Sequence, residues 1–313
     1  MDLAAWDWGV MKMGIEAWKF LKKELIYRGL NGREVHRVYI NAEESFILKP
    51  FNPQSLELWI YEHVLPAFPP IYPKLVDYST SPLGEDGWLL FEDLGLLQHK
   101  YEEAWAQEVV CLMAWWHNLS IDDLQQSSLK GQKPTYTNMT AILLNSKSKV
   151  LSLVSSHNID CMLILELYVR MEKEKLSDEQ VLSHGDLHVG NYTHIQGQLY
   201  ILDWEHIHLS HRYWDLYHLI DLPHPQYPKK LAPKWRSRLL DLYIEKAMHL
   251  DPKLDPHRFL YEYNLFASVF SLWLLLLIEA DQMNGNSPWS GEQLSVQAVE
   301  TAKSFMETVK ECL

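Results

Sequence analysis

The sequence predicts an α+β chain of two lobes, a small β-rich N-terminal one and a larger, mainly helical C-terminal one. Three observations predict it. The chain has 313 residues and a mass of 36.8 kDa, enough to bury a sizeable core and ordinarily to divide in two. Its first third carries apolar runs of strand length separated by Gly and Pro. From Tyr101 onward, apolar residues recur at helical spacing over long stretches.

The elements follow in order. Over residues 9–25, Met, Ile, Trp and Leu fall at helical spacing. ELIYRGLNGREVHRVYI and then ESFILKPF read as strands, with Gly29 and Gly32 where a turn between paired strands needs them. SLELWIYEHVLPAF reads as a helix stopped by Pro66, Pro69, Pro70 and Pro73. PKLVDYST and GWLLFEDLG read as two more strands joined by SPLGEDG. YEEAWAQEVVCLMAWWHNL opens the helical part, and helices are expected again over 235–250, 258–283 and 293–312. NYTHIQGQLYILDWE is the one β-island expected there, two short strands about a QGQ turn.

Composition narrows the function classes. A net charge of −13 argues against nucleic-acid binding, which needs clustered Lys and Arg, and it allows a cationic small-molecule partner. Cys111, Cys161 and Cys312 are too few and too far apart for a disulfide framework or a zinc site, which points to the cytoplasm. The N-terminus begins MDLAAWDWG, acidic where a signal peptide is basic. The apolar run over 265–278 is shorter than the roughly 20 residues of a membrane span. Glu262 and Glu279 flank it, so it reads as a core helix.

The chemistry concentrates in HGDLHVGN and the LDWE that follows. Asp186 and Asn191 stand at the H-x-D-x-x-x-x-N spacing of a kinase catalytic loop. Phosphoryl transfer asks a protein for an aimed acceptor hydroxyl and for Mg²⁺ held on the triphosphate. Asp186 can take the hydroxyl proton, while the amide oxygen of Asn191 and the carboxylate of Asp203 are the hard oxygen ligands Mg²⁺ prefers. A turn aspartate and a strand-ending aspartate would be the ordinary readings of Asp186 and Asp203 taken singly. His184 and His188 are four apart, but Gly185 and Gly190 make a loop of this stretch, not the helix an H-x-x-x-H zinc site needs.

His184 through His188 with Asn191, followed by Ile201 through Glu205, resemble the motifs of the aminoglycoside phosphotransferase and choline kinase group. These are small-molecule kinases with a protein-kinase-like bilobal fold. Phe46 through Lys49 resemble the strand of the family's nucleotide lysine, and Glu57 to Tyr61 the helix of its glutamate partner. Leu89 through Leu94 resemble the inter-lobe hinge, Met113 to His117 the helix beyond it, and Tyr213 through Leu216 the structural aspartate segment. Val189 stands where the family often has Pro, and GLNG lacks a full glycine-rich loop.

The resemblance implies a nucleotide-binding lobe over 1–94 and a catalytic and acceptor-binding helical lobe over 95–313. It implies transfer of a phosphoryl group from ATP or GTP, with Mg²⁺, to a hydroxyl of an aminoglycoside-, choline- or sugar-like acceptor. Lys49, Glu57, Glu92 and Leu94 would then bind the nucleotide, with Glu57 preferred over Glu62 as partner of Lys49. Asn191 and Asp203 would hold metal, and Asp186 would be catalytic. His184 would shape the loop, Asp215 would bond the loop backbone, and His188 stays open between structure and acceptor contact. Candidate contacts for a cationic acceptor are Asp221, Glu279 and Asp281. A non-catalytic relative that keeps the fold is the alternative. A protein kinase is disfavoured, because no long activation loop or A-P-E follows Asp203.

Overall fold

The structure, a computed structural model, describes residues 18–29, 32–52, 56–80, 87–122, 124, 129, 133–227, 232–285 and 287–313. The chain forms two compact units, Met1–Leu96 and Leu97–Leu313. The first holds a five-stranded antiparallel sheet of β1 (Lys22–Arg28), β2 (Glu34–Tyr39), β3 (Ser45–Phe51), β4 (Leu75–Ser79) and β5 (Gly87–Glu92). Its order is β1-β2-β3-β5-β4. Helix α1 (Glu57–His63) follows β3 and ends in a 3-10 turn, Leu65–Ala67, that contains Pro66.

Alternation along the central strands decides the core of this unit. Val38, Leu48 and Leu90 are buried together, with Trp18, Phe46 and Trp88 packed against them. Lys49 sits inside β3 opposite Leu89, two residues short of the strand's end. The helix expected over 9–25 does not extend to Leu25, because Lys22–Arg28 is a strand paired with Glu34–Tyr39; residues 9–17 lie outside those described. A ladder of backbone hydrogen bonds to β2 outweighs the weak helical pattern of these four residues. The SPLGEDG connection lies mostly outside the described residues.

The second unit is built of α2 (Glu103–Trp116), α3 (Tyr136–Asn145), α4 (Lys147–Ser156), α5 (Cys161–Lys173), α6 (Tyr213–Ile220), α7 (Pro233–Leu250), α8 (Pro256–Asn284) and α9 (Gly291–Val309). Helix α8 is the apolar run read from sequence, extended to 29 residues. It is long and apolar enough to cross a bilayer, yet 72% of its most apolar window is buried within the protein. Asp255 caps its start by accepting from the amides of His257 and Arg258, and Pro256 stands at the first helical position, where its missing N–H costs nothing. Contacts with α3, α6, α7 and α9 make α8 the core helix of this unit.

The expected β-island is present as β7 (Tyr192–Ile195) and β8 (Gln198–Ile201), turned at Gln196 and Gly197 with positive φ at both. It is not alone. Val181–Ser183 and His208–Ser210 form a second antiparallel pair, β6 and β9, on either side of the hairpin. Three residues are too few to show a period, so this pair was invisible to pattern reading.

Gly87 begins β5 where a Cβ would lie 2.4 Å from Cε1 of Phe51 and 2.6 Å from the Ser79 carbonyl oxygen. Backbone cannot yield as a flexible side chain can. We expect Gly87→Ala to lower stability by about 1–3 kcal/mol, read as a shifted denaturant midpoint. Gly291→Ala, where nothing lies within 4 Å, is the control expected to change little.

Candidate active site

Asp186 and its neighbours lie on the loop between β6 and β7, and α6 holds that loop from beneath. The Asp215 carboxylate is fully buried and accepts from Ser183 Oγ (2.7 Å), the His184 amide (2.7 Å), the Gly185 amide (2.9 Å) and His117 Nε2 (3.2 Å). Burial pushes this carboxyl up. The hydrogen bonds from His117 and the Gly185 amide outweigh burial and hold it well below the ordinary carboxylate range. Trp214, one residue earlier, donates its indole N–H to the Gly185 carbonyl at 3.0 Å. One two-turn helix thus fixes three consecutive loop residues.

The loop then turns at Gly185, with φ +87°. A Cβ there would approach the His206 carbonyl oxygen to 2.1 Å, so glycine is required by torsion and by space. His184 is buried without a charge. Its Nδ1 accepts from the Asp186 amide (3.2 Å), so the proton is on Nε2, which donates to the Leu202 carbonyl (2.9 Å). Burial lowers its basicity further. His184 therefore ties the loop to the far arm of the hairpin and also orients the residue next to it.

Asn191 closes the loop. Its Nδ2 donates to the Asp186 carbonyl at 2.7 Å, which commits the nitrogen end of the amide to the loop. Its backbone carbonyl accepts from Leu202 at 2.8 Å, one step beyond the Tyr192–Ile201 pair of the hairpin. That bond brings Asp203 to the position next to the partner of Asn191. Asp203 is left-handed (φ 61°), a conformation aspartate tolerates better than most residues, and the buried Trp204 anchors it. Trp204 donates to the Ile201 carbonyl and packs against His184, ring centroids 4.7 Å apart.

The charge around Asp186 is also set here. Burial raises its carboxyl, and the charge that His188, His218, Lys133 and His206 can carry outweighs burial and brings it to about 2. His188 is itself brought down to about 3 by burial against the pull of Asp186, and its Nε2 stands 3.6 Å from Asp186 Oδ2. At neutral pH the site is an ionised Asp186 facing neutral imidazoles. His188 packs against His224, tilted by 32° with centroids 4.2 Å apart, and stacks with Tyr227 at 5.6 Å.

In the first unit, Lys49 Nζ lies 2.7 Å from Glu57 Oε1, and Glu57 is buried in the first turn of α1. Glu62 instead accepts from the Tyr78 hydroxyl. Glu92 accepts the Lys74 amide at 2.7 Å and Leu94 is half-buried beyond β5. Of the acids considered for a cationic acceptor, Asp221 has its charge matched by Arg236 (3.0 and 3.1 Å) and a bond from the Tyr263 hydroxyl. Glu279 pairs with Lys149, and the exposed Asp281 lies near Ser287. The structure does not gather these three around Asp186. Sequence reasoning missed Ser183 and His117, whose Nδ1 accepts from Tyr243 (2.8 Å). Each is an ordinary core residue until the Asp215 carboxylate is found beside it.

These residues carry the one sequence match found. Residues 157–258 match the model of the Phosphotransferase enzyme family. The stretch contains the loop, the hairpin and α6, so the resemblance read from the motifs is shown. No curated protein matches the chain in sequence. Solved structures share the fold over nearly the whole chain. A candidate aminoglycoside phosphotransferase of Ralstonia eutropha is 12% identical with a TM-score of 0.60, covering 92% of each chain. Choline kinase of Cryptosporidium parvum is 15% identical with a TM-score of 0.55, covering 93% of this chain and 89% of its own. Amicoumacin kinase in complex with AMP-PNP, Ca²⁺ and Ami is 14% identical with a TM-score of 0.56, covering 90% and 87%. The fold is therefore kinase-like, a small β-sheet unit followed by a mainly helical one.

Acid should unfold this site. His218 and His188 titrate at about 4 and about 3 in the fold against an ordinary 6.5. The unfolded chain therefore binds protons below about pH 6.5 that the folded chain refuses. Stability is full above that pH and falls toward pH 4 and 3, with Asp215 adding to the loss below its ordinary 3.8. Denaturant midpoints between pH 8 and 4 should show this decline, and His218→Leu should make it shallower. A midpoint independent of pH over that range would contradict the buried neutral imidazoles.

Proposed function

We propose that this protein is a Mg²⁺-dependent phosphotransferase that moves the γ-phosphoryl group of ATP or GTP to a hydroxyl of a small molecule in the cytoplasm. The observation that carries the reading is the loop in which an ionised Asp186 is bonded to Asn191 and braced by Asp215, with Asp203 held at the end of the adjoining hairpin. The bound AMP-PNP and Ca²⁺ of amicoumacin kinase support the nucleotide and divalent-cation part.

In this reading residues 1–94 are the nucleotide lobe and 95–313 the catalytic and acceptor lobe. Lys49, oriented by Glu57, takes the nucleotide phosphates, and Glu92 and Leu94 lie on the segment that receives the rest of the nucleotide. Asn191 and Asp203 fit a hard cation, since the amide nitrogen of Asn191 is committed to the loop and both offer oxygen. Mg²⁺, when bound, neutralises charge on the phosphates. Asp186 orients the acceptor hydroxyl by accepting its hydrogen bond. A carboxylate at about 2 is a weak base, so it takes the proton late, as the oxygen bonds to phosphorus and loses basicity. His184 and Asp215 keep the loop in place.

The acceptor has room at the end of α6. A cavity of about 330 Å³ there is lined by His224, Asp221, Arg236 and the α9 acids Glu292, Glu300 and Glu307. The His224 ring packs against His188, which faces Asp186. With Asp221 matched by Arg236, the α9 acids, which share this wall with Lys303, would receive a cationic acceptor.

Five variants test the assignment. Asp203→Ala should remove the gain in nucleotide affinity that Mg²⁺ confers, measured by calorimetry, without unfolding the protein. Lys49→Ala and Glu57→Ala should weaken nucleotide binding alike, while Glu62→Ala should not. Asp186→Asn should still bind nucleotide but transfer phosphate roughly 10²–10⁴-fold more slowly in single turnover with a hydroxyl compound found by panel screening. Near wild-type transfer by Asp186→Asn would remove the centre of this mechanism.

A further inference from the structure

Gly190, the residue before Asn191, is held on three sides, and two of the groups holding it belong to no motif. Its amide donates to His188 Nδ1 at 2.9 Å, which is local to the loop. The His99 side chain, from the segment that precedes α2, lies near the Gly190 backbone, which favours its protonated form against the pull of burial. That segment is tied in place by Thr193 on β7, whose hydroxyl accepts from the Gln98 amide (3.2 Å) and donates to the Gln98 carbonyl (3.3 Å). The third side is the ring of Tyr227, from the chain that follows α6.

The Tyr227 ring lies so close that a Cβ on Gly190 would sit 2.4 Å from Cε2 and 2.6 Å from Cδ2. Gly190 is not among the glycines of positive φ, so the missing Cβ serves space and not torsion. Tyr227 also stacks on His188 with planes 19° apart and approaches the His99 ring at 5.4 Å. Two side chains from distant parts of the sequence therefore meet at one glycine.

We infer that Tyr227 and His99 are positioning residues that clamp Gly190 and thereby aim the Asn191 amide oxygen; the inference rests on the metal role proposed for Asn191. Asp215 braces the loop at its start: among the described residues its hydrogen bonds come from Ser183, His184, Gly185 and His117. Without the clamp, the far half of the loop keeps only its own short-range bonds and the hairpin. A ligand oxygen displaced by a fraction of an ångström loses much of its hold on a small cation of strict geometry. Groups that orient a metal ligand without touching the metal typically change metal affinity by roughly 10–100-fold.

The test separates this role from a general loss of structure. Affinity for the nucleotide would be measured by calorimetry with and without Mg²⁺ for the wild type, Tyr227→Ala, Tyr227→Phe and His99→Ala. We expect Tyr227→Ala to cut the Mg²⁺-dependent gain by roughly 10-fold or more while metal-free affinity stays within about two-fold. Tyr227→Phe, which keeps the ring over Gly190, should restore the gain, and His99→Ala should lose it in part. His99 is exposed, so its variant carries the test should Tyr227→Ala fail to fold. A full gain in Tyr227→Ala and His99→Ala overturns the clamp alone, as does an equal loss of both affinities. A wild-type protein that gains nothing from Mg²⁺ overturns the functional reading, and the clamp with it.

Discussion

The buried carboxylate of Asp215 is the constraint on which the catalytic loop depends. A charge without solvent is costly unless it is bonded, and four donors converge on its two oxygens. Two of those donors are backbone amides of His184 and Gly185, so satisfying the charge dictates the path of the chain into Asp186. The bond from His117 and its partner Tyr243 extends the same network to α2 and α7. Helices that share no sequence neighbourhood are locked together by the need to neutralise one group.

The rest of the loop is shaped by close approach more than by charge. Gly185 passes under the His206 carbonyl and Gly190 under the Tyr227 ring, each where a methyl group would not fit. Just before Gly185, the His184 imidazole spans from the loop to the Leu202 carbonyl. The loop is therefore held at Gly185 and at Gly190, and Asp186 lies between the two holding points. Pre-organisation of this kind matters for phosphoryl transfer, where the protein's contribution is placement and charge.

Charges elsewhere in the helical unit are largely consumed by structure. Asp221 serves Arg236 and Tyr263, and Glu262 accepts from Arg258, Tyr213 and the Ser177 amide. Breaking such partly buried pairs costs more than making them gains. An acidic chain is thus a poor guide to which acids meet a ligand. The imidazoles near Asp186 are comparably constrained, kept neutral by burial, so the carboxylate stands as the charged group among rings.

Motif spacing by itself pointed to the loop, the hairpin and the chemistry proposed for Asp186, Asn191 and Asp203, because those relations span fewer than about twenty residues and depend on local turns. Strand and helix order was legible for the same reason, apart from the start of β1 and the short β6–β9 pair, whose stability comes from partners distant in the chain. The pairing of Lys49 with Glu57 was within reach through the resemblance, since a strand and the next helix make it. Tertiary structure alone decided that Asp221 belongs to Arg236, that His117 meets Asp215, and that His99 and Tyr227 converge on Gly190. Those contacts join residues far apart in sequence, and what selects them is the shape and charge left over when the helices pack, which no spacing records.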